Sequence, residues 1–158
     1  MRRFRPIHGV FVVLVFMATI LGANWALQGH AKDFERVSPD RSGIVRIPVA
    51  DLKPLQVRFY RFLNSGNQEV KFFVARDNGG EVQVAFDASE VCAKFKGRAG
   101  FRKEGEWVAC NKCDKSFRIS EVNAGGGGCK PVPLAHRVEG GTLVIAQADI
   151  LTGWRLFR

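Results

Sequence analysis

Cysteine occurs at four positions only, Cys92, Cys110, Cys113 and Cys129, in a C-x17-C-x2-C-x15-C pattern. Any fold for this chain has to account for that spacing. Two sulfurs on one tight turn can chelate an ion, while amide N–H groups of the same turn point at them and steady their charge. The turn is Cys110-Asn111-Lys112-Cys113-Asp114. Asp114 sits where such a turn often requires positive φ, and Lys112 beside the pair favours thiolate. The fourth cysteine follows Gly125-Gly126-Gly127-Gly128. Gly127 and Gly128 are expected to let the main chain approach a centre with no Cβ in the way. This loop is not a phosphate cradle, because the Gly-Lys-Ser/Thr that closes one is missing.

Residue types remove several alternatives. A c-type haem needs His where Asp114 stands. A blue-copper site needs two His and usually a Met, but beyond residue 29 the chain offers only His30 and His136, and both methionines precede residue 20. His136 reads as a surface or hydrogen-bonding residue. A thioredoxin-like pair sits in a βαβ pattern, which is not found. Spacing alone leaves metal binding and two disulfides both open, the latter with three possible connectivities.

The N-terminus is basic and then apolar: Arg2, Arg3 and Arg5 precede a stretch without charge up to Lys32. Ile7 to Leu27 is long enough for one membrane-crossing helix. Residues 1–31 are therefore expected to be a signal anchor, or a signal peptide cut after Gly29-His30-Ala31. Either reading places residues 32–158 outside the cytoplasm, since positive residues stay inside. The whole chain carries 24 Lys+Arg against 15 Asp+Glu, a formal net charge of +9. No Lys/Arg block with interleaved aromatics appears, which argues against nucleic acid as a partner.

The exported part predicts a mainly β fold: one compact β-domain of sandwich type with short helical turns. Its β-type runs are Ile44–Val49, Val57–Leu63, Val70–Ala75, Val82–Phe86, a hairpin over Gly100–Ala109, Thr142–Ala146 and Trp154–Phe157. Asn64-Ser65-Gly66-Asn67 and Asp77-Asn78-Gly79-Gly80 supply turn signals between them. Two sub-blocks are expected, residues 43–88 as a sheet and 89–158 carrying the cysteines.

Val84-Ala85-Phe86-Asp87-Ala88-Ser89-Glu90-Val91-Cys92, then Lys96-Gly97, Cys110-Asn111-Lys112-Cys113, and Gly127-Gly128-Cys129-Lys130-Pro131-Val132-Pro133-Leu134 together resemble the membrane iron-sulfur FtrD-like domain family. The resemblance covers roughly residues 56 to 158. It implies a membrane-tethered domain of the bacterial inner membrane that faces the periplasm or cell exterior. It also implies an iron-sulfur centre and association with iron uptake through an iron permease. One departure stands out: Ser89 occupies the place of the family's first cysteine, so a five-thiol set becomes four. A more distant likeness, carried by Cys110-x-x-Cys113-Asp114-x-x-Phe117 and the strand-like segment Val138–Ile145, is to Rieske-type domains. The two His of such a site would fall on Lys94 and Cys113, so only the β architecture carries over.

These observations combine into one leading expectation and two alternatives. The leading one is a membrane-anchored domain that passes electrons or handles metal. In it, Cys92, Cys110, Cys113 and Cys129 hold an iron-sulfur cluster, or a single zinc or iron ion, for an iron permease or redox partner. Lys112, Asp114, Gly127 and Gly128 would support the ligands. The alternatives are a disulfide-stapled interaction module and a thiol-disulfide exchange protein using Cys110 and Cys113. No catalytic residues are assigned, because no motif of a conventional enzyme site is present.

Overall fold

A computed structural model describes residues 13–20, 32–94, 100–125 and 127–158. The chain forms two units, Met1–Asp33 and Phe34–Arg158. In the first, residues 13–20 are helical and their apolar side chains are exposed. Among the described residues no helix is long and apolar enough to cross a membrane. The remainder of the expected leader, residues 1–12 and 21–31, lies outside the described residues.

Among its described residues the second unit contains ten strands: β1 (Phe34–Val37), β2 (Ile44–Pro48), β3 (Val57–Leu63), β4 (Glu69–Arg76), β5 (Val82–Phe86), β6 (Phe101–Glu104), β7 (Trp107–Cys110), β8 (Ser116–Arg118), β9 (Arg137–Glu139) and β10 (Thr142–Ala146). A short helix, Gln147–Thr152, and single 3-10 turns complete it. The mainly β expectation therefore holds, and β3 and β5 begin and end where the alternation and turn residues place them. The turns form as their residues dictate. Asn64 Oδ1 accepts the N–H groups of Gly66 and Gln68, and Asp77 Oδ1 accepts that of Glu81, so each side chain closes its own hairpin.

The strands make three sheets, ordered β1-β3-β4-β5, β2-β10-β9 and β6-β7-β8. The four-stranded sheet lies between the other two, and its strands β4 and β5 are buried on both faces. Along β4, Val70, Phe72 and Val74 enter one core, with Val45 and Ile47 of β2, Leu143 and Ile145 of β10, and Ile150 of the helix. The intervening Phe73 and Ala75 enter a second core with Phe101, Val108, Ile119, Val122, Cys92 and Cys110. The period-2 pattern of a strand is thus used on both sides.

Two expectations need correction. Residues 43–88 do not form one sheet, because β2 leaves its neighbours in sequence to pair antiparallel with β10. Trp154–Phe157 is a 3-10 turn, Gly153–Phe157, and not a strand. Its apolar residues Trp154, Leu156 and Phe157 pack against the first core, a demand that a turn meets as well as a strand does.

A strap follows Cys129 and lies along the outer edge of β5. Val132 donates its N–H to the Ala88 carbonyl and Leu134 to the Val84 carbonyl, while Phe86 donates to the Val132 carbonyl. Pro133 bridges Ala85 in antiparallel fashion. The residues that donate alternate with Pro131 and Pro133, which have no N–H to give.

Candidate metal centre

Each cysteine is positioned by a local device. Cys92 opens the 3-10 turn Cys92–Lys94, and Ser89 fixes that turn: its Oγ accepts the Cys92 N–H at 3.1 Å and its carbonyl accepts the Ala93 N–H. Ser89, seen from sequence only as a missing cysteine, is 1% exposed and caps the turn. Two residues earlier, the buried Asp87 carboxylate accepts the Phe101 N–H at 2.7 Å and ties the end of β5 to the start of β6. Gly100 makes this possible. A Cβ there would lie 2.6 Å from Asp87 Oδ2, and the residue's φ of 104° disfavours a side chain in any case. Sequence reasoning missed this clamp, whose signal would have been a glycine directly preceding β6.

Cys110 ends β7, and its N–H bonds the Lys115 carbonyl while its own carbonyl accepts the Asp114 N–H. Asp114 has φ 56°, as the position after the second cysteine was expected to require. The Cys110 sulfur accepts amide hydrogen bonds from Lys112 and Cys113, and the Cys113 sulfur accepts one from Lys115. Lys112 therefore serves the site through its backbone amide. Asp114 pairs with Arg102 at 2.9 Å, which holds the turn to β6.

A Cβ on Gly127 or Gly128 would meet no atom of the chain within 4 Å. Their φ values of 128° and 60° give the main chain a left-handed path into Cys129.

The structure brings three of the sulfurs, those of Cys92, Cys113 and Cys129, into one group, and Cys110 adjoins it through Cys92. Cys92 Sγ lies 3.5 Å from Cys110 Sγ and 3.5 Å from Cys129 Sγ. The sulfurs of Cys92, Cys113 and Cys129 all lie within 4.8 Å of one another. All four cysteines are free. Cys92 and Cys110 are buried, Cys129 is partly buried and Cys113 is exposed, so the group is walled on one side and open on the other. Phe73, Phe101 and Ile119 are among the residues of the core that walls it. His136 takes no part: its ring nitrogens face the Leu134 and Val82 carbonyls.

Ionisation follows exposure. Burial pushes the Cys110 thiol up to about 11 and raises Cys92 as well. At Cys113 burial opposes ionisation, but the Lys115 amide and the neighbouring thiols outweigh it and bring the group below the ordinary thiol range. Cys129 is raised, first by its contact with Cys113. Negative sulfurs as close as the 3.5 Å that separates Cys92 from Cys110 and from Cys129 would repel strongly, and a bound cation removes that obstacle. Soft thiolates with no imidazole or carboxylate among them suit iron or zinc. The residues present thus fit a thiolate-held metal.

No curated protein and no solved structure matches the chain, and the likeness to Rieske-type domains is not confirmed. A family model described as membrane iron-sulfur containing protein FtrD-like matches residues 52–157, a span that includes all four cysteines, the Asp87 clamp and the proline strap. The chain belongs to that family of membrane iron-sulfur proteins.

Proposed function

We propose that this protein is a membrane-attached electron carrier whose iron is held by Cys92, Cys110, Cys113 and Cys129. The single observation behind this reading is the convergence of four free sulfurs, three of them on segments far apart in sequence, against an apolar wall. Iron bound there supplies a reversible one-electron couple. The chain's own part is to supply four thiolates, to keep water from the Cys92 and Cys110 side, and to steady negative charge with the Lys112, Cys113 and Lys115 amides. An electron from a membrane-bound reductant enters at the open Cys113 edge and leaves there to a one-electron acceptor. The domain is placed on the periplasmic or outer side of the bacterial inner membrane, with an iron permease as the associated system.

The test is a mediated redox titration of the full chain, purified without oxygen in detergent and followed by absorption and electron paramagnetic resonance. A one-electron wave that disappears in Cys110→Ser is the expected result. Metal-bearing protein with no wave overturns the carrier role. The exposed, readily ionised Cys113 also favours a second reading, thiol-disulfide exchange, in which Cys113 attacks a partner disulfide and Cys110 resolves it. Mixed disulfides trapped by Cys110→Ser would support that reading instead.

A further inference from the structure

Part of the chain's net charge of +9 is placed beside the sulfurs. Lys94 stands two residues after Cys92, Lys112 lies between Cys110 and Cys113, Lys115 stands two residues after Cys113, and Lys130 follows Cys129 directly. Consecutive Cα atoms are about 3.8 Å apart, so every one of these lysine Cα atoms lies within about 7.6 Å of a cysteine Cα. The convergence that gathers the sulfurs therefore gathers the lysines as well. Lys94, Lys112 and Lys115 are exposed, and Lys130 is partly buried.

Neighbouring acids do not consume this charge. Arg46, Arg58, Arg61, Lys71 and Arg137 are each paired with a carboxylate elsewhere on the domain. Among the described residues Lys94, Lys115 and Lys130 form no such pair. The acids of the segments 89–94, 110–115 and 127–131 are Glu90, which is exposed, and Asp114, which Arg102 holds at 2.9 Å. An excess of positive charge remains.

The rim encloses something to touch. Val91, next to Cys92, is 46% exposed, and among the described residues of the second unit Val138 is the other large apolar side chain left so open. Cys113, with Lys112 before it and Lys115 two residues on, is the exposed member of the sulfur group. An apolar spot and an open sulfur edged by cations match a small, quickly released protein interface, in which charge steers the approach and apolar contact brings two centres close. Anionic lipid would be met equally well by lysines far from the centre, whereas these stand at its open side.

We propose that Lys94, Lys112, Lys115 and Lys130, around Val91, form the docking surface for an acidic, water-soluble one-electron carrier protein. This rests on the electron-carrier reading, and the experiment separates the two. The reduced, iron-loaded full chain in nonionic detergent is mixed by stopped flow with plastocyanin, an acidic one-electron acceptor, or with cytochrome c, a basic acceptor of similar size. Rates are taken across a range of ionic strength for the parent, for Lys94→Gln with Lys115→Gln, and for a control that removes the same charge elsewhere, Arg41→Gln with Lys53→Gln.

Loss of Lys94 and Lys115 is expected to slow electron transfer to plastocyanin about tenfold at low salt while leaving transfer to cytochrome c no slower, and the control pair should stay within about twofold of the parent. The deficit should close toward 1 M salt, where the screening length is about 3 Å. Equal losses in both variant pairs would assign the effect to overall charge, and a loss with both acceptors would assign it to the centre's potential; each overturns the docking surface. Rates that do not respond to Lys94 and Lys115 also overturn it and leave the carrier reading standing. Failure to pass an electron to either acceptor overturns the carrier reading, and the docking surface with it. Unchanged rates together with Lys94 and Lys115 shielded from acetylation in phosphatidylglycerol vesicles, but not in phosphatidylcholine vesicles, would assign the rim to the membrane and overturn the protein partner.

Discussion

The two faces of the central sheet are built from the same strands and are closed in different ways. On one face Val70, Phe72 and Val74 meet β2, β10 and the C-terminal helix, and the large side chains Tyr60, Phe62 and Phe86 fill the space between. On the other face Phe73, Ala75 and Ala85 meet β6, β7 and β8, strands of four, four and three residues. The first layer closes chiefly by apolar burial, beside bonds from Arg76 to the Val49 carbonyl and from Gln68 to the Trp154 carbonyl. The second adds specific links: Asp87 to Phe101, Arg102 to Asp114, and the sulfur group. A thin layer of short strands gains less from burial and leans more on a staple, which a metal supplies.

The comparison can be broken from either side. Phe72→Ala removes a fully buried ring from the first face and should cost about 4 kcal/mol, by the same amount with metal and without it. Denaturant unfolding of both forms checks this, and a metal-dependent cost would mean that the faces are coupled. Cys92→Ser should lower the stability of metal-loaded protein by about 3 kcal/mol while leaving metal-free protein within about 1 kcal/mol of its parent. Hydrogen exchange should then show lost protection in β6, β7 and β8 and retained protection in β3 and β4.

Gly100→Ala should cost about 2 kcal/mol, because the new Cβ strikes Asp87 and φ is left-handed. Its sharper signature is faster metal loss to a chelator at unchanged stoichiometry. The smallest effect is in acid. Asp40, which precedes β2 on the first face, is held at about 2 by its hydrogen bond from the Ser42 hydroxyl and by the Ile44 amide. Its folded value lies below its unfolded one, so its contribution is present above about 4 and fades as pH falls toward 2. Thiolate ligands must lose protons to bind, so metal should leave at a higher pH than that. Metal release and far-ultraviolet dichroism followed together on acidification should show two separate transitions.

Alternation and side-chain-closed turns made β3, β4 and β5 readable, because both signals are local. The Cys110 turn was readable for the same reason, and Asp114 takes the conformation its place required. What escaped was non-local. Nothing in Ile44–Pro48 announces that its partner is β10 rather than β3. β1 pairs parallel to β3 through Phe-Glu-Arg-Val, a sequence with no alternation to read. Gly153–Phe157 has the composition of a strand and is too short for periodicity to decide between strand and turn. At the site, spacing and resemblance named the cysteines, but Asp87 and Ser89 act on amides whose position only the fold sets.

The proline strap has an effect on how the molecule meets its own copies. An unprotected sheet border invites another chain to add a strand and so to propagate an aggregate. Here the β5 border is covered, and the donors a newcomer would need along the strap are the ones that Pro131 and Pro133 lack. Residues that guide Cys129 to its place thereby also end the sheet, which guards the domain against runaway self-association.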